Sequence, residues 1–330
     1  MSTTSLSSLT ANGSELTMTV LGCGTMGIAI LSGILSSLHD LQTQPPTPSP
    51  SGTSTPAEEL PTRLPTKFIA CVRRPESAKK LKAAFAPYST SSVTITTNDN
   101  VSAARKADIV LLACKPYMFT DILSAPGMAA ALQGKLLISI LAGVNVPQIA
   151  EVLGGADTTT TIVRAMPNTA SLIRESMTVI GTSEPPLPAA TAGLVTWIFK
   201  RIGEVVYLPP NTMDACTALC GSGPAFFALM LEAAIDGAVA MGLPRAEAQR
   251  MAAQTMKGAA GLVLNGDHPA LLRDKVSTPG GCTIGGLLVL EEGRVRGTVA
   301  RAVREATVVA SQLGKGVQGV NGTRFGGQLQ

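Results

Sequence analysis

One short segment near the C-terminus combines hydroxyl side chains with a glycine turn, Ser277-Thr-Pro-Gly-Gly-Cys-Thr283. Ser277 and Thr278 stand before the Pro-Gly-Gly turn, and Thr283 follows it. A loop of this composition presents several backbone N–H groups and hydroxyls to a single small anion. The segment therefore predicts a site for a small carboxylate.

A glycine pattern near the N-terminus, Gly22-Cys-Gly-Thr-Met-Gly27, predicts a second and larger anion site. It follows an apolar run that is typical of a buried strand, Thr17–Leu21, and opens a helical run, Met26–Leu38. In that context the first glycine permits a tight turn, the second lets the backbone approach a pyrophosphate, and the third allows close helix–sheet packing. The phosphates would lie at the helix N-terminus. Together the two segments suggest a reductase that uses a nicotinamide dinucleotide.

The end of the next strand bears on the choice of dinucleotide. A strand that binds NAD normally ends in Asp or Glu, whose carboxylate accepts a hydrogen bond from the ribose 2′-OH. Here the strand Lys67–Val72 ends at Arg73-Arg74, and two arginines would attract a 2′-phosphate. We predict NADPH as the cofactor, with NADH as the alternative. The competing interpretation is that both arginines are simply solvated.

Composition argues against several other functions. The 330 residues carry a net charge of +4 without a long Lys/Arg run, which disfavours nucleic-acid binding. Two histidines, and six cysteines without a Cys-x-x-Cys pair, disfavour a metal site and favour free thiols in a reducing compartment. The apolar runs are short and punctuated, and the first 15 residues contain no Lys or Arg and no signal-peptide core. We expect a cytoplasmic protein that does not bind a membrane.

Alternating strands and helices must position these segments. After Thr17–Leu21 and Lys67–Val72, further apolar runs are typical of strands, with helical runs between several of them. That order predicts an α/β fold with a doubly wound parallel sheet of the Rossmann type. The further strand candidates are Val93–Thr97, Ile109–Cys114, Leu136–Leu141, Thr161–Ala165 and Met177–Gly181, and the helix candidates are Glu76–Ala86, Ser102–Lys106 and Val146–Leu153.

The second half of the chain changes character after Leu208-Pro209-Pro210. From Asp214 to Leu264, and again over Arg294–Leu313, Ala, Met, Leu and Gly recur at helical spacing. These helices are apolar on more than one face, as over Phe226–Leu231, which favours burial against a second subunit over a single thick helical core. We therefore predict a disordered tail (1–15), a Rossmann domain (16–210) with a Pro/Ser/Thr-rich insertion (39–66), an all-helical dimerisation domain (211–313) and a flexible tail (314–330).

Six motifs occur in the order seen in pyrroline-5-carboxylate reductases, and the chain resembles that family from about residue 16 to 313. The match omits both tails and the insertion. The last motif together with Gly-Ser-Gly-Pro is highly specific, and chance agreement of all six is negligible. The motifs are Ala113-Cys-Lys-Pro116, Ser139-Ile-Leu-Ala-Gly143, Val163-Arg-Ala-Met-Pro-Asn-Thr169, Thr217-Ala-Leu-Cys-Gly-Ser-Gly-Pro-Ala225, Gly242-Leu-Pro244 and Val276-Ser-Thr-Pro-Gly-Gly-Cys-Thr-Ile284.

The resemblance implies reduction of 1-pyrroline-5-carboxylate to L-proline with NADPH or NADH, the last step of proline biosynthesis. It also implies a homodimer with intertwined helical domains, often assembled into a ring of dimers. The substrate loop would come from across the dimer interface and comprise Val276, Ser277, Thr278, Gly280, Gly281, Cys282 and Thr283. The cofactor would be held by the glycine loop (Gly22, Gly24, Thr25, Met26, Gly27), by Arg73 and Arg74, by Asn100 near the adenosine ribose, by Ala113, Lys115 and Pro116 along its length, and by Ala142, Gly143 and Asn168 near the nicotinamide.

Thr283 is the catalytic residue in this interpretation. Thr278 and the N–H groups around Gly281–Thr283 would hold the substrate carboxylate, and the Thr283 hydroxyl would face the ring nitrogen. A protonated cyclic imine accepts hydride readily, so the enzyme needs positioning more than acid–base groups, which fits a chain with two histidines. The alternative is that Thr283 only caps the following helix.

One departure from the family pattern leaves open which residue takes the place of a family Glu. Family members carry a Glu before a His-Pro pair, whereas this chain has Asn265-Gly-Asp-His-Pro269, so it is open whether Asp267 replaces that Glu.

Three other functions are considered for this chain. A β-hydroxyacid dehydrogenase would place a catalytic Lys in the first long helix of the second domain, and Gly221–Gly237 contains none. A related imine reductase acting on another cyclic imino acid is the main alternative. A non-catalytic NADP-binding regulator would have a damaged substrate loop, and the loop here is intact.

Overall fold

The computed structural model of this chain describes residues 15–43, 61–88, 92–315, 317, 320 and 323. Eight strands form a sheet in the order β3-β2-β1-β4-β5-β6-β7-β8. The first six pair in parallel, so their carboxyl ends meet at one edge. The strands are β1 (Leu16–Leu21), β2 (Pro65–Val72), β3 (Val93–Thr97), β4 (Ile109–Leu112), β5 (Leu136–Ser139), β6 (Thr161–Met166), β7 (Ser176–Gly181) and β8 (Gly203–Leu208).

Helices cover both faces of the sheet because its central strands are apolar on both sides. Every residue of β4 and β5 is buried, as expected for the inner strands of a parallel sheet. The helices of this part are α1 (Thr25–Thr43), α2 (Pro75–Phe85), α3 (Asn100–Lys106), α4 (Phe119–Leu123), α5 (Met128–Leu132), α6 (Val146–Val152) and α7 (Ala189–Lys200). α1, α2 and α7 form one core with the sheet, and α3 to α6 form the other.

The predicted doubly wound parallel sheet is confirmed, with one reversal. β6 and β7 pair antiparallel, with Ala165 opposite Ile180 and Met166 opposite Val179. The segment between them contains only the 3₁₀ turn Thr169–Ile173, which is too short to serve as a crossover helix. β7 and β8 are again parallel, since α7 connects them.

Four elements of the sheet domain have no counterpart in the sequence prediction: the short helices α4 and α5, the helix α7 and the strand β8. α7 buries Trp197, Ile198 and Phe199, which belong to the larger core. The guanidinium of Arg201, just after the helix, lies over the Trp197 ring at 5.2 Å from its centroid. α7 is therefore a main component of the core rather than a surface addition.

The predicted insertion over 39–66 is shorter in the structure. Residues 39–43 are the last turn of α1, and residues 65–66 begin β2. Leu64 is buried in the core, so the chain is already packed one residue before the strand. Residues 44–60 lie outside the described residues, as do 1–14 and most of the chain after 315.

Beyond β8 the described chain is helical, as predicted. A π-helical turn, Thr217–Gly221, joins the short helix before it to the long helix after it. Gly314, the first residue of the predicted flexible tail, is instead the last residue of the final helix. The helices are α8 (Met213–Cys216), α9 (Gly223–Ala240), α10 (Arg245–Leu264), α11 (Pro269–Val276), α12 (Cys282–Glu292) and α13 (Val295–Gly314).

Helices α9 to α12 leave most of their apolar side chains uncovered. Leu229 on α9 is 67% exposed and Val289 on α12 is 66% exposed. The helical stretch Pro210–Ala240 is long and apolar enough to cross a membrane by length and composition alone, with 11% of its apolar window buried. The expectation of only short apolar runs was therefore wrong for this stretch. A core helix of a soluble protein passes the same test.

Candidate active site

The glycine loop lies between β1 and α1, at the carboxyl edge of the sheet. Gly22 has a φ of +77°, a left-handed conformation that favours glycine. A Cβ on Gly22 would lie 2.6 Å from the Cα of Cys114, and a Cβ on Gly27 would lie 3.0 Å from Cγ1 of Val20. The first glycine therefore permits a tight turn against the loop after β4, and the third lets α1 pack closely on the sheet.

The first turn of α1 directs backbone amides toward this edge. The carbonyl of Gly24 accepts the first bond of the helix, from the amide of Ile28 (2.8 Å). The amides of Thr25, Met26 and Gly27 precede that bond and so have no partner within the helix. Gly24 and Thr25 are exposed. Three free amides at the positive end of a helix form a suitable cradle for a pyrophosphate.

The ends of β2 and β3 lie beside the glycine loop. Arg73 and Arg74 follow β2 and are both exposed, and Asn100 opens α3 after β3. Because β3, β2 and β1 are neighbours in the sheet, the structure brings these three residues to the edge that carries the glycine loop.

Asp99, an acidic residue that the sequence analysis did not identify, also lies at this edge of the sheet. The pKa of the Cys71 thiol is raised to about 11, mainly by burial; a hydrogen bond from Thr96 lowers it, and the Asp99 carboxylate contributes to the increase. The amide of Asn98 donates to the carbonyl of Val72 at 3.1 Å, which places the next residue, Asp99, near the end of β2. β2 itself ends without an acid, as its sequence shows, and Asp99 supplies a carboxylate beyond the end of the neighbouring strand β3.

The thiols around the glycine loop are unreactive in character. Burial, with a smaller contribution from the neighbouring Cys71, raises the pKa of Cys23 to about 12. Burial likewise raises the pKa of Cys114 to about 11. All three thiols stay protonated at neutral pH, so none is suited to act as a nucleophile.

The predicted contacts for the nicotinamide half follow β4, β5 and β6. Ala113 extends β4, and its amide donates to the carbonyl of Leu21 (2.9 Å). Lys115 is exposed and Pro116 is half-buried in the turn that follows. Ala142 is exposed after β5, and the adjoining Gly143 is buried with a φ of +76°.

Asn168 connects the end of β6 to the helical domain. Its Nδ2 donates to the carbonyl of Cys220 in the π-helical turn (3.0 Å), and its Oδ1 accepts from the amide of Ala170 (3.0 Å). Its own amide donates to Oγ of Ser176 (3.0 Å). Asn168 therefore forms a structural bridge between the sheet and the Cys220-Gly-Ser-Gly segment.

A groove of about 970 Å³ runs between the two parts of the chain. Ala142 and Gly143 line it on the side of the sheet, and Thr217, Ser222 and Phe226 line it on the helical side. The third wall is one face of α13, which contributes Thr298, Arg301, Ala302, Glu305, Ala306, Val309, Ala310 and Leu313. Two of the three predicted nicotinamide-end residues, Ala142 and Gly143, therefore line a space that both parts of the chain enclose, and Asn168 does not line it.

The predicted substrate loop forms a compact turn between α11 and α12. The amide of Gly281 donates to the carbonyl of Thr278 (3.0 Å), and Gly280 has a φ of +69°, as in a type II turn. A Cβ on Gly281 would lie 2.4 Å from Oγ1 of Thr278, so a side chain here would displace the Thr278 hydroxyl. Gly281 also occupies the N-cap of α12 without a side-chain cap, and Thr283 lies inside the helix. The alternative that Thr283 caps α12 was therefore wrong.

The loop does not reach the groove of its own chain. Residues 276–283 are absent from the described groove lining, and most of them are exposed. Asp267 lies just before α11 and forms a salt bridge with the last turn of that helix. Nζ of Lys275 donates to Oδ1 of Asp267 at 2.7 Å. The structure thus brings the predicted cofactor residues to one edge of the sheet but leaves the predicted substrate residues apart from them.

Arg164, to which the sequence assigned no function, is a buried charged residue at the boundary between the two parts of the chain. Its side chain is buried on β6, with Nη2 3.9 Å from Oδ1 of Asp214 on α8. Its Nε and Nη2 have no hydrogen-bond partner. Burial lowers the pKa of the guanidinium, which the Asp214 charge partly offsets. A charged residue inside an otherwise apolar strand was the signal in the sequence.

Comparison with known proteins identifies relatives of both parts of the chain. A family model for pyrroline-5-carboxylate reductase dimerisation matches residues 210–313, and one for coenzyme F420-dependent NADP oxidoreductases matches residues 17–143. A pyrroline-5-carboxylate reductase of Lophium arboricola is 69% identical over 97% of this chain and 100% of its own length. One of Neurospora crassa is 62% identical over 94% of this chain and 97% of its own.

A solved structure extends the similarity to the fold. The pyrroline carboxylate reductase of Plasmodium falciparum, solved with NADP bound, is 26% identical and superimposes with a TM-score of 0.71. The match covers 92% of this chain and 100% of the other. The similarity therefore includes the sheet, the glycine loop and the helical part together.

Proposed function

This chain belongs to the pyrroline-5-carboxylate reductase family, and from that premise we propose that it reduces 1-pyrroline-5-carboxylate to L-proline with NADPH. The observation that carries the proposal is the groove. It joins the Ala142-Gly143 turn of the dinucleotide domain to Ser222 of the segment matched by the dimerisation model. A reductase must bring cofactor and substrate together at such a boundary, since the reacting atoms have to approach within about 3–3.5 Å.

The residues present suit a nicotinamide dinucleotide that carries a 2′-phosphate. The free amides of α1 would hold the pyrophosphate, and Arg73 and Arg74 would hold the 2′-phosphate by charge-assisted hydrogen bonds. Asp99 at the same edge favours a ribose hydroxyl instead, so the cofactor preference depends on which charge lies closer to that position. We infer NADPH because two exposed cations are opposed by one carboxylate.

The substrate loop would complete the groove of a second copy of this chain. Within one chain the loop lies outside the groove, and the surrounding helices leave apolar side chains such as Leu229 and Val289 uncovered. Pairing two copies would cover those side chains and bring each loop to the other copy's groove. The proposed assembly is a homodimer with intertwined helical domains, and dimers would join into a ring.

Positioning supplies most of the catalysis in this proposal. The cofactor, when bound, supplies a hydride to the imine carbon. The amides at the start of α12 and the Thr278 hydroxyl would bind the substrate carboxylate and so fix which face of the ring is presented. The Thr283 hydroxyl would donate a hydrogen bond to the ring nitrogen as its lone pair forms. Such a bond strengthens toward the transition state and therefore raises turnover.

The remaining predicted positions have supporting roles in the proposal. Ala113, Lys115 and Pro116 would line the cofactor between its phosphates and its nicotinamide. The Ala142-Gly143 turn would face the nicotinamide end, and Asn168 would keep the Cys220-Gly-Ser-Gly segment in register with β6. The enzyme would act in the cytosol as a soluble biosynthetic enzyme.

The decisive experiment is NADPH oxidation by the purified full-length protein with 1-pyrroline-5-carboxylate, repeated with NADH and with 1-pyrroline-2-carboxylate. Rapid turnover with the 5-carboxylate alone is the expected result. Turnover mainly with the 2-carboxylate would replace the substrate by that of a related imine reductase. Tight NADPH binding without turnover on either imine would contradict the proposal and favour a non-catalytic NADP-binding protein.

A further inference from the structure

The last helix of the chain is fastened to the turn at the nicotinamide end of the groove. Gly314 ends α13, and Gly143 lies in the turn after β5. A Cβ on Gly314 would lie 2.6 Å from the carbonyl oxygen of Gly143, and a Cβ on Gly143 would lie 3.1 Å from the nitrogen of Gly314. Only two glycines allow the backbones to approach this closely.

A side chain fixes the same contact. Nε2 of Gln148 donates to the carbonyl oxygen of Gly314 at 2.9 Å. Oε1 of Gln148 accepts from the amide of Asn145 at 2.9 Å, and Oδ1 of Asn145 accepts from the amide of Gln148, which together cap α6. One glutamine amide therefore caps α6 with its oxygen and holds α13 with its nitrogen. We call the contact of Gly143, Gln148 and Gly314 the latch.

The latch connects the two parts of the chain at the place where their relative position matters most. α13 packs against α8, the π-helical turn and α12, and one of its faces forms a wall of the groove. Its last turn meets the Ala142-Gly143 turn, which forms the opposite wall. A shift of this joint would change the distance between the nicotinamide end and the helical domain, while the pyrophosphate cradle at α1 would stay unchanged.

We propose that the latch is a positioning device for the reduction, in which Gln148 and Gly314 set the Ala142-Gly143 turn against the helical domain. The proposal rests on the proposed function and adds two positioning residues, Gln148 and Gly314, that touch neither substrate nor cofactor. Its signature is a loss of turnover without a loss of cofactor affinity, because misplacement of reacting groups lowers kcat while the remote phosphate contacts still hold the cofactor.

The principal variant is Gln148→Glu, which keeps the oxygen that caps α6 and removes the nitrogen that holds Gly314. We expect kcat with 1-pyrroline-5-carboxylate to fall about ten-fold and the NADPH dissociation constant, from fluorescence titration, to change less than about two-fold. Hydrogen exchange of the amides at residues 142–144 in the cofactor-free protein should accelerate about ten-fold. The matched control is Asn145→Ala, which weakens the cap but leaves the latch, and should lower the melting temperature with kcat nearly unchanged.

A second variant tests the backbone contact. Gly314→Ala places a methyl group against the Gly143 carbonyl and should reproduce the loss of kcat, although helix propensity alone predicts a more stable helix. Gly193→Ala on α7 is its control, since nothing lies within 4 Å of that position. Wild-type kcat or unchanged exchange at 142–144 in both latch variants would overturn the proposal. An inactive wild-type protein would refute the proposed function instead, and the exchange measurement would still decide whether the latch exists.

Discussion

Thr283 lies within the first turn of α12 and is not the N-cap residue of that helix. Its proposed role in catalysis can therefore be tested separately from helix capping. Gly281 is the N-cap of α12, and no side chain caps the helix there. We expect Thr283→Ala to lower kcat about 10- to 100-fold, the value of one hydrogen bond of about 1.5–3 kcal/mol made in the transition state. The NADPH dissociation constant should not change. Steady-state kinetics together with a cofactor titration measure both quantities.

The control for this prediction is Thr283→Ser, which retains the hydroxyl and should keep most of the activity. An equal loss of kcat and cofactor affinity in Thr283→Ala would count against the assigned role. A loss of melting temperature that accounts for the fall in activity would count against it as well, since the helix would then depend on Thr283 for its stability.

The charges at the end of β2 give a second prediction at this scale. Replacing Arg73 and Arg74 together by Ala should raise the KM for NADPH at least ten-fold, because each charge-assisted bond contributes about 1.5–3 kcal/mol, and should leave the KM for NADH little changed. Lys80→Ala on α2 is the matched control, because it removes a positive charge from an exposed position nearby. Parallel assays with the two cofactors measure the ratio.

Asp99 supplies the opposite arm of this experiment. Asp99→Asn removes the carboxylate at the same edge and should favour NADPH further over NADH. Equal effects of the arginine substitutions on both cofactors would show that these arginines are solvated surface residues. The sequence alone suggested the arginines and missed Asp99, because pairing of β3 with β2, which brings their ends together, is a property of the sheet.

Arg164 and Asp214 join two elements, the strand β6 and the helix α8, and predict how stability is distributed between them. Asp214→Ala would leave the buried guanidinium of Arg164 without its counter-charge. Loss of one partner of a buried pair costs about 3–5 kcal/mol, and since Asp214 is partly exposed we expect about 2–3 kcal/mol. The double variant Arg164→Met with Asp214→Ala should recover much of this loss. Chemical denaturation at one fixed protein concentration measures it.

The control pair is Lys67 and Glu15, whose atoms lie only 2.6 Å apart but are largely exposed. Glu15→Ala should cost less than about 1 kcal/mol. If the two acidic substitutions destabilise the chain equally, burial does not determine the strength of these pairs and the Arg164 prediction fails.

At the scale of elements, the sequence predicted those whose pattern is local. The strand Val93–Thr97 has the predicted bounds, and the two strands before cofactor loops are shorter than predicted, ending at Leu112 and Ser139 where the chain turns toward the groove. α7 and β8 were missed, although Glu204-Val-Val-Tyr-Leu208 is rich in strand formers. The reversal at β7 follows from the short connection after Met166, which apolar periodicity does not reveal.

In the candidate site, too, the features with a local sequence pattern were predicted and the contacts between distant residues were not. Glycine spacing predicted the Gly22 loop because a positive φ and close packing leave their mark on residue type. The latch left no such mark: Gln148 and Gly314 are far apart in sequence, and a glycine at a helix end is common for local reasons. Contacts between distant elements therefore account for what the sequence did not show.

For the whole molecule, the helical domain is incomplete as a single chain. Buried residues are sparse in α9 and α10 and absent from α11 and α12 among the described residues. Such a surface requires a cover of similar apolar character, and the match to a dimerisation family over residues 210–313 indicates a second copy. In such a dimer, each groove would contain cofactor residues from one protomer and the substrate loop from the other.

Mixing two variants of low activity tests this division directly. Thr283→Ala disables the loop of a chain, and Gly24→Val disables its cofactor cradle, where the nearest protein atom to an added Cβ is 3.9 Å away, so that the new side chain occupies the phosphate position rather than disrupting the fold. In a 1:1 mixture reassembled from dissociated protomers, half of the dimers are mixed. Each mixed dimer has one groove with an intact cradle from one protomer and an intact loop from the other, so about a quarter of wild-type activity should return. If loop and cradle belonged to the same protomer, every groove would carry a defect and the mixture would stay at low activity.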